Sequence, residues 1–151
     1  MPLEFAEGDL FRVRGIDALA HGCNCAGAMG RGIAAEFRRR WPEMYERYRS
    51  MCASGALSPG GVYVYDGAGV TVYNLGTQRH WREGATMAAV RGSVSAMLAH
   101  AADRGVSSVA MPRVGAGLGG LAWEDVRREL ESIAGGSSVR VVVVSLPGAT
   151  A

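Results

Sequence analysis

Residues 138–146 read SVRVVVVSL, with four valines in unbroken succession at 141–144. A strand with one face in water alternates apolar and polar side chains, and this one does not. The run reads as a central strand buried on both faces. Such a strand needs helices packed above and below its sheet, which sets the class as α/β.

The rest of the chain supplies those layers. LEFAEGDLF (3–11) reads as a strand, a turn at Gly8-Asp9 and further strand. DALAHGCN (17–24) is a short apolar strand, and CAGAMGRG (25–32) is a loop rich in glycine and alanine. IAAEFRRRW (33–41) is helical, with Ile33, Ala34, Phe37 and Trp41 at helical spacing. Pro42 interrupts or restarts it, and EMYERYRSMCA (43–53) is a second helix that stops at Gly55. GVYVYDGAGVTVYNL (61–75) predicts a hairpin with apolar alternation on both sides of an Asp66-Gly67 turn. A polar loop follows over 76–85, then a long helix over 86–105 that ends at Gly105. Residues 107–112 predict a strand and 122–133 a helix.

No linker, repeat or low-complexity block separates these elements, so the chain reads as one domain over 1–151. The expected architecture is a three-layer α/β/α sandwich around a mixed, mostly parallel sheet. At 48% hydrophobic and 20% charged the composition is that of an ordinary soluble protein. No apolar run approaches the roughly 20 residues that span a bilayer. The opening MPLEFAEGDL has no basic segment leading into an apolar one, so the cytoplasm is the expected location. A net charge of +2 is too small to argue for nucleic acid. All 16 basic residues are arginine, so no step can use a lysine nucleophile, base or Schiff base. Three cysteines (Cys23, Cys25 and Cys52) make no disulfide framework.

Two glycine loops fall after strands, at 22–32 and 113–120, where ligands of open α/β sheets sit. Residues 115–120, GAGLGG, match G-x-G-x-x-G. A dinucleotide site would need an acid about 20 residues further on. The last acid in the chain is Glu131, so that fingerprint fails. A Walker loop fails for want of lysine. What remains is a pair of loops offering N–H donors and helix dipoles, suited to a diphosphate held between them.

EGDLF (7–11), LAHGCNCAGAMGRGIAAEF (19–37) and VAMPRVGAGLGGLAWEDV (109–126) together resemble the macrodomain, an ADP-ribose-binding module. The branch most similar to them is that of the terminal ADP-ribose protein glycohydrolase. The resemblance implies that Asp9 accepts from the adenine amino group, with Leu10 beside it. Gly30, Arg31, Gly32 and Ile33 would form the first phosphate loop. Val114, Gly115, Ala116, Gly117, Leu118 and Gly119 would enclose the diphosphate and distal ribose. Asn24 would lie beside that ribose, and Leu146 against the adenine.

The same resemblance exposes two departures. The branch's catalytic lysine aligns with Gln78, and its partner acid with Gly119. An amide is no nucleophile and glycine has no side chain, so a covalent lysine mechanism cannot transfer. ADP-ribose esterified to a Glu or Asp side chain still has a good leaving group, with conjugate-acid pKa about 4. The expected activity is hydrolysis of such esters by a positioned water. Asn24 and Gln78 lie at the reacting end, and Arg79 or His80 would give electrostatic help or proton transfer. Arg79 could instead pair with Glu83, His80 could be a surface histidine, and Trp81 either a lid or core cover. The expected partners are ADP-ribose, as ligand or product, and mono-ADP-ribosylated proteins, with DNA-linked ADP-ribose ranked lower. No further cofactor, no metal and no membrane are expected, and a monomer suffices. A non-catalytic ADP-ribose reader and an ADP-ribose 1″-phosphate phosphatase are the alternatives. HGCNC (21–25) has no second ligand pair at zinc spacing.

Overall fold

The computed structural model describes residues 3–67 and 69–147. Its strands are β1 (Leu3–Glu7), β2 (Ala18–Asn24), β3 (Val62–Gly67), β4 (Val70–Gln78), β5 (Ser108–Met111) and β6 (Arg140–Ser145). Its helices are α1 (Gly32–Arg40), α2 (Pro42–Ser54), α3 (Met87–Arg104) and α4 (Trp123–Gly135). The strands form one sheet in the order β1-β6-β5-β2-β4-β3. Only the β3–β4 pairing is antiparallel.

The valine run behaves as its composition demands. Val141 and Val143 pack under α3 and α4, while Val142 and Val144 pack under α1 and α2. All four are at most 5% exposed, and burying each stabilises the fold by about 1.5–3 kcal/mol. The sheet therefore carries a helical layer on each face, giving the three-layer sandwich. α2 begins on Pro42, where a missing N–H costs nothing, and stops at left-handed Gly55. Thr86 caps α3 by accepting the N–H of Ala89, and Gly105 ends it. Among the described residues no helix is long and apolar enough to cross a membrane.

The structure corrects three boundaries. After Gly8-Asp9 the chain forms a short 3-10 turn (Leu10–Arg12) rather than more strand. The Asp9 carboxylate accepts the Phe11 N–H at 2.9 Å and tightens the turn, while Leu10 drops into the core. In the hairpin, Asp66 and Gly67 both belong to β3, and Gly67 pairs with Val70. The reversal falls later, with Gly69 at φ +75° supplying the left-handed residue, and Ala68 lies outside the described residues. Finally, β4 runs on to Gln78, because Leu75, Gly76 and Gln78 pair with Gly22, Cys23 and Asn24 of β2. This extension carries Gln78 to the edge of the sheet.

Candidate functional site

Because five strands are parallel, their carboxyl ends share one edge. Glu7, Asn24, Gln78, Met111 and Ser145 all terminate there. At this edge lies a cleft of about 550 Å³. The loop after β2 and the start of α1 form one wall, and the loop after β5 forms the other.

The first wall is held from behind by Asn24. The β2–β4 register slips between Cys23 and Asn24, leaving Thr77 as an extra residue on β4. The Asn24 side-chain oxygen accepts from the N–H groups of Ala26 (3.0 Å) and Ala28 (3.3 Å). Its amide nitrogen donates to the Ala28 carbonyl at 2.8 Å. The Tyr48 hydroxyl, reaching over from α2, lies 2.6 Å from the Asn24 carbonyl and 3.0 Å from Oδ1. Asn24 is thus a brace that shapes the loop, and only one amide hydrogen is left over for anything else.

The braced loop delivers the chain into α1. Arg31 precedes the helix in an extended conformation and makes no side-chain cap, and no acid sits in the first turn. Gly32, Ile33 and Ala34, whose N–H groups lack intrahelical partners, line the cleft. An uncapped helix N-terminus facing a cavity is an anion site in the making.

In the opposite wall the loop winds through a 3-10 turn at Gly117–Gly119. Any side chain on Gly115 would be strained there. Its φ is +78°, and a Cβ would stand 2.9 Å from Val90 Cγ2 and 3.1 Å from Leu121 Cδ1. The two walls meet where Leu118 Cδ1 lies 3.1 Å from the position of a Cβ on Gly32 (φ +60°).

At the far end, Gln78 faces Gly119. The Gln78 amide nitrogen donates to the carbonyls of His80 (3.1 Å) and Glu83 (2.8 Å). Its Oε1 therefore turns toward Gly119 and stands 3.9 Å from where a Cβ there would be. Arg79 does not enter the cleft lining; it forms a two-pronged ion pair with Glu83. Neither does His80 line the cleft. Its Nδ1 accepts the Arg82 N–H at 3.0 Å, and its ring stacks on Trp81 at 3.8 Å. Trp81 does line the cleft and remains 53% exposed.

Of the residues singled out from sequence, Asn24, Gln78, Gly30, Arg31, Gly32, Ile33, Val114, Gly115, Ala116, Leu118 and Gly119 line this cleft. Gly117, Arg79 and His80 stand in its loops without lining it, and Asp9, Leu10 and Leu146 lie beyond it. Asp9 and Leu146 are nonetheless neighbours, since the Gly8 N–H bonds the Ser145 carbonyl at 2.8 Å where β1 meets β6. Thr77 and Arg113 also line the cleft without having been singled out. Arg113 stands within the glycine loop read from sequence over 113–120, whereas nothing in its sequence context marks Thr77.

The HGCNC segment is occupied by packing. His21 is fully buried and stacks on Phe37 at 3.9 Å. Its Nε2 is 2.7 Å from Asn74 Oδ1. Asn74 spends its own amide nitrogen on the Tyr63 carbonyl, so Nε2 carries the proton. Among the described residues nothing bonds His21 Nδ1, and burial pushes the imidazole pKa down to about 4. Burial also pushes the Cys23 thiol well up, and the Cys25 thiol to about 11, which keeps both as thiols at neutral pH. Among the described residues no three His, Cys, Asp or Glu side chains gather to hold a metal.

A family model described as "Macro domain" matches residues 20–130. A protein of Mycobacterium tuberculosis named DNA ADP-ribosyl glycohydrolase is 35% identical over 134 residues. That match covers 86% of this chain but 38% of the relative, so the chain spans under two fifths of that protein's length. A bovine protein named ADP-ribose glycohydrolase OARD1 is 30% identical over 144 residues, covering 95% of this chain and 91% of the relative. The solved macrodomain of Mycobacterium tuberculosis DarG superposes with a TM-score of 0.89 at 33% identity, covering 95% of this chain and 97% of that one.

Proposed function

Since this chain belongs to the macrodomain family, we propose that its cleft binds ADP-ribose and hydrolyses mono-ADP-ribose from acidic protein side chains without a lysine nucleophile. The observation that carries the reading is the cleft of about 550 Å³ between the uncapped N-terminus of α1 and the glycine loop after β5. A diphosphate between these walls would meet backbone N–H donors and the positive end of a helix dipole, with no lysine needed. The distal ribose would then reach toward Gln78 and Gly119, and the adenine toward the ends of β1 and β6, near Asp9 and Leu146.

The chemistry follows from what that end of the cleft lacks. Gln78 and Gly119 supply neither nucleophile nor acid. A carboxylate leaving group departs with little protonation, so water held against the anomeric carbon suffices. An N-glycosidic bond to a nucleobase leaves less readily and would suffer more from the missing groups. The Mycobacterium tuberculosis relative bears the name DNA ADP-ribosyl glycohydrolase, which makes DNA-linked ADP-ribose the comparison substrate.

One observation favours a second reading, a reader that binds without cutting. The amide nitrogens of Asn24 and Gln78 are committed to backbone carbonyls, and Arg79 to Glu83. Calorimetric titration with ADP-ribose, then incubation with Glu-linked mono-ADP-ribosylated protein, DNA-linked ADP-ribose and ADP-ribose 1″-phosphate, separates the readings. Release from the Glu-linked substrate above a buffer control supports the hydrolase. Binding with no turnover on any substrate supports the reader. Phosphate release from the 1″-phosphate alone would identify a phosphatase. Absence of ADP-ribose binding would overturn all of them.

A further inference from the structure

Gln78 has an orientation that its neighbours dictate. A primary amide offers two N–H hydrogens on one side and one oxygen on the other. The two groups nearest its nitrogen are the carbonyls of His80 and Glu83, at 3.1 and 2.8 Å, and both can only accept. Turning the amide over would set its oxygen against two carbonyl oxygens. The backbone is held as firmly, because the Gln78 carbonyl accepts the Cys25 N–H at 2.9 Å and the residue closes the β2–β4 pairing. Oε1 is therefore presented to the cleft, facing Gly119, and among the described residues no donor reaches it.

This oxygen is an acceptor, whereas the start of α1 offers the cleft partnerless N–H donors. It repels phosphate oxygens and attracts a hydroxyl. We propose that Gln78 Oε1 accepts a hydrogen bond from a hydroxyl of the distal sugar, orients that sugar, and makes the cleft select a nucleoside diphosphate sugar over the bare nucleoside diphosphate. The role rests on the ADP-ribose reading above and goes beyond it, because it gives Gln78 a positive task in place of a missing lysine. An amide neither gives nor takes a proton near neutral pH, so Gln78 is a positioning residue and not a catalytic base.

The test compares two ligands that differ by the distal ribose. Wild-type protein and Gln78→Met are titrated calorimetrically with ADP and with ADP-ribose. The expected result is an ADP affinity unchanged within about twofold and an ADP-ribose affinity about tenfold weaker in the variant, the scale of one lost hydrogen bond. An unchanged ratio of the two affinities overturns the role of Gln78. Methionine cannot hold the His80 and Glu83 carbonyls, so the same question is put to the wild type with ADP-ribose analogues that each lack one distal hydroxyl. One analogue should bind about tenfold more weakly than ADP-ribose. Equal binding of all analogues overturns the proposal without any variant. Failure of wild type to bind either nucleotide sinks the ADP-ribose reading itself, a result distinct from an unchanged ratio.

Discussion

Lowering the pH from 8 to 5 should cost this protein about 2 kcal/mol of folding stability through His21 alone. The ring is fully buried between Phe37 and the Asn74 side chain, and its pKa falls from 6.5 in the unfolded chain to about 4 in the fold. A depressed imidazole pKa means that the unfolded chain binds the proton first. The contribution is complete above pH 6.5 and is lost progressively as the pH drops toward 4. The full shift of about 2.5 units corresponds to about 3 kcal/mol, of which about 2 kcal/mol is lost by pH 5. The carboxyls that the fold pulls down (Glu4, Asp17 and Glu129) start from ordinary values of 4.5 or below, so they act mainly below this window. Urea unfolding followed by tryptophan fluorescence at pH 8, 7, 6 and 5 measures the loss. His21→Gln keeps a donor for Asn74 and does not titrate, so its stability should be lower overall but flatter with pH. A wild-type loss under about 0.5 kcal/mol, or an equal slope in the variant, would refute the assignment of the effect to His21.

Asn24→Ala removes three side-chain hydrogen bonds that shape the first wall and should cost about 2–4 kcal/mol in urea unfolding. It should weaken ADP-ribose binding as well, which a purely chemical role would leave intact. Gly115→Ala forces a left-handed residue and a methyl against Val90 Cγ2, so it should destabilise by about 2 kcal/mol or more in the same assay. Gln78→Lys with Gly119→Asp restores the groups that the resemblance places at these positions, and should raise release from DNA-linked ADP-ribose, measured by gel mobility. A Cβ on residue 119 would sit 3.1 Å from the Ala85 Cβ, so Ala85→Gly should improve the double variant.

The layers were legible because the valines of β6 leave no exposed face, and the helix ends because Pro42, Gly55 and Gly105 act through local backbone preferences. The glycine loops were legible for the same reason. The Asp66-Gly67 turn failed because the strand pairing runs through both residues, and the left-handed residue of the reversal is Gly69. The bracing of Asn24 was not legible. It depends on a register slip opposite Thr77 and on a hydroxyl from Tyr48, a helix away in sequence. The Arg79–Glu83 pair was legible as an alternative, because the two lie four residues apart, whereas the Arg82 N–H that holds the His80 ring was not.

The uncapped start of α1 divides the labour of the cleft in a way that bears on how such a protein can diverge. On the proposed reading, grip on an anion there would come from main-chain amides, which every residue but proline possesses. Whatever acts on the far end depends on which residues stand at two positions, 78 and 119, one at the sheet edge and one in a loop. A point mutation can rewrite the second without erasing the first. Retention of a ligand and the power to transform it are therefore separately heritable in this scaffold, and the loss of one is no evidence for loss of the other.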